Sequence, residues 1–555
     1  MPAQQVFWVA GMGKSRSPQQ PDPVKRKASV RFSGLSASWG NAQIMKNVKA
    51  FVDKLRAFSP QKMLYLRLIL KMSIYDKYQA VIGLECHIQL LTKSKMYSND
   101  LAEYGGLPNS HVSVVTLGHP GTLPVVNKRA IEFAVKLGIA LHATIREENQ
   151  FARKNYFYAD LPKGYQITQD KTPICTGGYL DAKLKDGTEK RVNLTRIHME
   201  EDAGKSMHDI DAFDTLIDLN RAGTPLLEIV SEPDLRSGEE AYAYLTEVRK
   251  LVRYLDICDG NMEEGSLRCD ANISVMLKGA NSYGKKVEVK NMNSFRNVQR
   301  AIDFEIKRQV DLIENGQDIA VETRSFDAVK DLTFSLRSKE NANDYRYFPE
   351  PDLQPVMVSK AYIESIRTNL PTLPSALFKL YTGTYQLSDY DANQIIESKE
   401  VSAYFDAIIA AHKNYKAAAN WLMGPIKSYL NERALHFSEF TLTPKQIAEI
   451  IVLIDSGKIS NTAASNKLFP EMIAQPAKSA EDIAKALDLL QNSDSSELQN
   501  LIDAALANFG DKVTEYKNGK VGLLGMFVGE VMKLSKGKAD PKLLNQLMKE
   551  SLDKK

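Results

Sequence analysis

The sequence predicts an α+β protein: an antiparallel β domain with flanking helices, followed by two all-α domains. Three observations predict it. From residue 72 to about 300, apolar and polar residues alternate with period 2, and Gly, Asp and Pro punctuate the runs. Helical periodicity interrupts that pattern at 127–142 and 237–256 and returns as a strong amphipathic stretch at 296–315. Beyond the proline-rich YRYFPEPDLQP (345–355) the text is helical to the end. A chain of 555 residues also exceeds what one hydrophobic core supports.

Residues 1–71 stand apart. They hold 13 Lys/Arg and 2 Asp/Glu, a net of +11, so the rest of the chain carries 4 − 11 = −7. This extension ends in LYLRLIL (64–70), too short to span a bilayer. It reads as sequence upstream of a natural start at Met72; a transit peptide, and so import into an organelle, is the alternative. The expected catalytic domain covers 72–358. Its helix at 237–256 opens on Ser237 and early glutamates, which suit the positive end of a helix dipole. The helix at 296–315 stops at Gly316. Helical domains follow at 359–437 and 438–555, with HFSEFTLTP (436–444) as the joint. The four cysteines lie far apart with no C-x-x-C pair, so neither a zinc site nor a disulfide framework is signalled, and a cytoplasmic location fits.

Several strands carry unusual polar rows. In VIGLECHIQL (81–90), Glu85 and His87 share one parity while Ile82, Leu84, Cys86 and Ile88 take the other. Arg196, His198, Glu200 and Asp202 align in LTRIHMEEDAG (194–204). So do Arg268, Asp270 and Asn272 in SLRCDANISV (266–275), and Lys286, Glu288 and Lys290 in KKVEVKN (285–291). Side chains at i and i+2 point the same way on a strand. The plain reading is a sheet with one wet face. Composition argues for more, because Glu-x-His, Arg-x-His-x-Glu-x-Asp and Arg-x-Asp-x-Asn are ligands for metals and phosphates. Burying such charges unpaired costs several kcal/mol each, so the face must meet water, counter-charges or a liganded ion.

Glu85, His87 and Glu200 together suit a divalent ion, Mg²⁺ or Mn²⁺ by their carboxylates. Lys154, Arg196 and Arg268 suit phosphate oxygens. The GKS at 204–206 is a decoy. A P-loop needs Gly at 199, where Met199 stands. RKNYFYADLPKGYQIT (153–168) interleaves basic and aromatic residues, as unpaired nucleotides require; core aromatics on a strand read the same way. The last 45 residues, 511–555, hold 10 Lys and 6 Asp/Glu, a basic helical tail suited to nucleic-acid backbone.

GLECHIQL (83–90), RKNYFYADLPKGYQIT, HMEEDAGKS (198–206), DLNRAGTPLLEIVSEPD (218–234), MEEGSLRCDANIS (262–274), KNMNSF (290–295), DYRYFPEPDL (344–353) and NWLMGP (420–425) run in order. Together they resemble the B-type subunits of the aspartyl/glutamyl-tRNA(Asn/Gln) amidotransferases, over about 72–555. Cys86 and Ala159 replace a commoner Val and Pro. The resemblance implies a kinase-like antiparallel β cradle, a helical domain and a tail that clasps tRNA. It implies ATP-dependent phosphorylation of the side-chain carboxylate of Glu-tRNA(Gln), Asp-tRNA(Asn) or both. Ammonia from an amidase/glutaminase partner, the A-type subunit, then gives the amide, and a small C-type subunit straps the two larger ones together. By motif it assigns metal ligation to Glu85, His87 and Glu200, with Glu228 as a fourth, and places Lys154 near the transferred phosphate or the mouth of the ammonia tunnel. Arg268 and Asp270 join that wall by parity, and no zinc is expected. The alternative is a non-catalytic tRNA-binding subunit, which would not need three metal ligands.

Overall fold

A computed structural model describes residues 74–208, 210–338, 345–491, 495–535 and 539–554. The basic extension 1–71 lies outside them. The chain divides into two compact units, one ending at Leu370 and the other beginning at Pro371. No helix among the described residues is long and apolar enough to cross a membrane.

In the first unit the elements follow the sequence closely. Strand β1 spans Tyr78–Gln89, and helix α1 spans Lys128–Ala140 with Asn127 as its cap. A small hairpin follows, β2 (Ala152–Asn155) and β3 (Tyr165–Thr168). Then come β4 (Glu189–Glu201), β5 (Pro225–Ser231) and α2 (Gly238–Tyr254), whose cap Ser237 accepts from the Glu240 amide at 3.1 Å. Strand β6 covers Leu267–Leu277 and β7 Val287–Lys290. Helix α3 (Phe295–Glu314) is followed by Gly316 at φ 70°, a left-handed turn that glycine accepts freely. Strands β8 (Glu322–Asp327) and β9 (Leu332–Ser338) complete the sheet.

That ten-stranded sheet runs β9-β8-β7-β6-β1-β5-β4 and continues through two short strands, Cys175–Thr176 and Thr144–Ile145; Tyr179–Lys183 also pairs with β4. It is mixed, which corrects the expected antiparallel sheet. β7 and β8 pair in parallel, Glu288 opposite Thr323. Parallel neighbours need a long crossover, and the 20-residue α3 between them supplies it.

Parity separates the two faces. Ile82, Leu84, Cys86 and Ile88 are buried with Ile197, Met199, Leu227, Ile229 and Ile273. Tyr244 of α2 lies beneath Cys86 and Cys269, and Gln309 of α3 donates to the Ile273 carbonyl at 3.1 Å, so both helices cover this apolar face. Buried Glu305 ties α3 to the edge strand β9: Thr333 donates to it at 3.0 Å, while Arg308 of the same helix donates to it at 2.6 Å. Ile82 sits fully buried at the centre of β1. Ile82→Ala is expected to cost about 3 kcal/mol, the scale for deleting a large aliphatic side chain from a close-packed core. Equilibrium urea denaturation reads it as a lowered midpoint.

The second unit is helical throughout its described residues, from Pro374 to Lys554. Rings bridge the expected joint at 436–444. Tyr404 packs on Phe437 and Phe440, and Phe440 and Tyr429 meet Phe469. Helix Lys399–Ala411 also packs on Pro444–Asp455 across it. A further core gathers Leu498, Ile502, Phe527, Val531, Leu544 and Met548 near the C-terminus.

Candidate active site on the polar face of the sheet

The opposite face of β1, β4, β5 and β6 carries the ionisable residues, and strand register decides which of them meet. His87 stands opposite Glu228 on β5 and opposite Arg268 on β6. Glu228 in turn stands opposite His198 on β4. The result is a four-membered cluster. Glu228 Oε2 lies 3.3 Å from His87 Nε2 and 3.2 Å from His198 Nε2. Glu200 lies 3.7 Å from His87 and 3.8 Å from His198. Thr168 of β3 donates to Glu200 at 3.3 Å.

Burial disfavours charge on both rings, but Glu228 and Glu200 outweigh it and raise His87 and His198 to about 9. Burial likewise opposes charge on Glu228, yet His198 and His87 hold it well below the usual carboxylate range. With neutral rings the cluster carries two negative charges and two imidazole nitrogens, the donor set of a divalent cation. Ligand atoms at ~2.1 Å from one ion lie at most ~4.2 Å apart. One ligand atom each from His87, Glu200 and Glu228 already lie within 4.8 Å of one another. The residues therefore fit such an ion after a small closure.

Glu85 falls elsewhere. It stands opposite Asp270 on β6 and gathers with Asp270 and Glu288 in a second group within 4.8 Å. The separation has a simple cause. Residues i and i+2 on a strand are ~6.7 Å apart along its axis, so Glu85 and His87 stand opposite different residues of β6, Asp270 and Arg268, although Glu228 acts on both. Burial, and then Glu228, Glu288 and Asp270, raise Glu85 above the usual carboxylate value; a 2.7 Å hydrogen bond from Asn272 opposes this. Lys290 answers the group, paired with Asp270 and 3.7 Å from Glu288.

The cations divide into committed and open ones. Arg268 donates to Asp202 at 2.8 Å, and Gln89 donates to the same oxygen at 2.6 Å. Arg221 lies 3.7 Å from it. Burial opposes charge on Asp202, but Arg268 and Arg221 prevail and lower its pKa. Lys154 has no carboxylate within 4.0 Å among the described residues; its Nζ sits 4.9 Å from the Tyr345 ring centroid. Burial works against its charge, but Glu200, Tyr347 and Glu228 raise its pKa. The side chain of Arg196, half-buried and opposite Val230, makes no hydrogen bond or ion pair among the described residues.

His198, Asp202, Glu288 and Lys290 stood in the polar rows without a role, and shared parity was the signal that could have found them. Glu228 had no such signal, because PLLEIVS is an almost wholly apolar strand. The GKS run opens a strand, Lys205–Met207, paired with Leu216–Asp218, so no phosphate loop forms there.

Buried and half-buried imidazoles and carboxylates in contact on one sheet face, beside a lysine and an arginine with no ion pair among the described residues, are the kind of cluster found in the catalytic domain of an enzyme. Comparison agrees. The GatB/GatE catalytic domain model matches residues 80–364, and the GatB domain model matches 403–552. The chain is 47% identical over 482 residues to the B-type subunit of the aspartyl/glutamyl-tRNA(Asn/Gln) amidotransferase of Synechococcus sp. (strain JA-2-3B'a(2-13)), covering 86% of this chain and 98% of that one. It is 48% identical over 479 residues to the corresponding protein from Geotalea daltonii, covering 86% and 99%. The chain belongs to the family of B-type subunits of the aspartyl/glutamyl-tRNA(Asn/Gln) amidotransferases. It is thus one component of a tRNA-dependent ligase of protein biosynthesis, the glutamine-hydrolysing amidotransferase.

Proposed function

We propose that this chain uses ATP to phosphorylate the side-chain carboxylate of a misacylated aminoacyl-tRNA and then amidates it with ammonia from an amidase/glutaminase partner. Glu-tRNA(Gln), Asp-tRNA(Asn) or both are the substrates, and a small third component completes the assembly. The observation that carries this reading is Lys154, a half-buried cation beside the His87–His198–Glu200–Glu228 cluster with no carboxylate within 4.0 Å among the described residues. Two anions, a carboxylate and a γ-phosphate, must be brought together, and positioning with cations does most of that work.

His87, Glu200 and Glu228, with His198 behind them, would hold Mg²⁺ or Mn²⁺. The ion, when bound, screens phosphate oxygens and polarises the phosphorus. Lys154 and Arg196 bind the remaining phosphate charge. Arg268 holds Asp202 and so shapes the wall, while Lys290 holds Asp270. In the first step a substrate carboxylate oxygen bonds to phosphorus and the bond to ADP breaks. In the second, ammonia bonds to the acyl carbon, phosphate leaves, and one proton is lost from nitrogen. The basic tail, 511–555, suits the tRNA backbone.

Two tests follow. Mn²⁺ titration by electron paramagnetic resonance is expected to show a bound ion that His87→Ala weakens by at least about tenfold, as loss of one ligand implies. Unchanged Mn²⁺ affinity would place the ion elsewhere. The chain alone should be nearly inactive with glutamine and active with free ammonia; full glutamine-dependent amidation by the isolated chain would overturn the division of labour.

A further inference from the structure

Beside Lys154 stands a run of tyrosines that the proposed chemistry leaves unused. Tyr156 follows β2, and Tyr345 and Tyr347 come from the motif that precedes Phe348–Pro349, itself paired with β2. Tyr156 and Tyr345 meet edge to face at 6.2 Å and 76°, and Tyr345 meets Tyr347 at 6.1 Å and 70°. The run extends to Tyr158, 5.8 Å from Tyr156. No two of these rings stack on one another. They are not an enclosed core either, since Tyr347 is 37% exposed and Tyr158 53%.

The wall is built rigidly. Arg153 donates to buried Glu350 at 2.7 and 2.9 Å and reaches Asp352 at 3.1 Å. Asn155 donates to the carbonyls of Tyr345 and Arg346 at 3.2 and 2.9 Å. Arg346 is held at φ 45°, a costly conformation for a residue with a side chain. It turns the chain between the two tyrosines. The wall also borders the ionisable cluster, because Tyr156 and Tyr347 both lie within electrostatic reach of Glu200.

We propose that this tyrosine wall seats an adenine base, with the attached phosphate or ester end directed at Lys154 and the cluster. Aromatic platforms of this kind take unpaired bases by stacking. The inference rests on the proposed reaction, in which both substrates end in adenosine: ATP itself, and the 3′-terminal nucleotide that carries the amino acid. The shared chemistry is the base, and the test separates the two sources.

The experiment uses the full chain in its complex with two fluorescent probes whose emission falls on stacking: 2-aminopurine riboside triphosphate, and aminoacyl-tRNA with 2-aminopurine at its 3′ end. One probe is expected to be quenched on binding. In the double variant Tyr345→Leu/Tyr347→Leu the quenching should vanish and affinity for that probe should fall at least about fivefold, the equivalent of one stacked base. Tyr345→Phe/Tyr347→Phe, which keeps the rings, should retain both, and this separates lost stacking from misfolding. Quenching of the triphosphate assigns the wall to ATP; quenching of the tRNA probe assigns it to the acceptor end. If neither probe is quenched, or the leucine variant quenches as wild type does, the proposal fails. Quenching without any phosphate transfer in wild type would sink the proposed reaction and leave the adenine seat standing.

Discussion

Replacing Glu200 with glutamine is expected to lower tRNA-stimulated ATP hydrolysis by the assembled complex about 10²-fold or more, while aminoacyl-tRNA still binds. The substitution keeps shape and removes one charge. Glu200 lies 3.7 Å from His87 and 3.8 Å from His198, and it is one of the strongest influences on Lys154. Its loss leaves the cluster with one carboxylate instead of two, too little to balance a divalent cation. A loss of ~3 kcal/mol of transition-state stabilisation corresponds to the expected factor. Filter binding of labelled tRNA supplies the control. If hydrolysis persists at the wild-type rate, the polar face is a platform for tRNA and the activating chemistry lies elsewhere. If tRNA binding falls together with hydrolysis, Glu200 acts in recognition rather than in phosphate transfer.

The second large effect is on stability. Arg153→Met is expected to destabilise the first unit by ~3 kcal/mol, because it strands the Glu350 carboxylate, whose side chain is fully buried. Asp352 offers no compensation, being another acid on the same guanidinium. The double variant Arg153→Met/Glu350→Leu should recover most of that loss, since two apolar groups leave no unpaired charge. Urea denaturation of the four members of this cycle gives the coupling directly. A single variant within ~0.5 kcal/mol of wild type would mean that water reaches Glu350. The same cycle bears on function: Arg153 anchors the strand pair that presents Tyr345 and Tyr347, so the single variant should also bind adenine nucleotides more weakly than the double.

Much of the site was legible because side-chain direction on a strand is a local property. Glu85, His87, Glu200, Arg268 and Asp270 could be placed on polar faces from spacing alone. The helices at 128–140, 238–254 and 295–314 were equally readable, since their caps and periodicity lie within the segments themselves. Glu228 was not legible in this way. One carboxylate in an apolar strand shows no row; the family resemblance named it, and its register opposite His87 and His198 shows which residues it meets.

By itself, then, the sequence determined the α+β class, the parity of each strand and the family, all of which depend on residues close together or on long motifs. Tertiary structure decided which polar residues share a site. It paired Glu85 with Asp270 and Glu288, and His87 with Glu200 and Glu228. It committed Arg268 to Asp202 and left Lys154 and Arg196 without an ion pair among the described residues. It made the sheet mixed by laying β8 parallel to β7. The reason is the same in each case. Register and strand order arise from contacts between segments that lie tens of residues to well over a hundred apart, and no pattern within a single strand carries them.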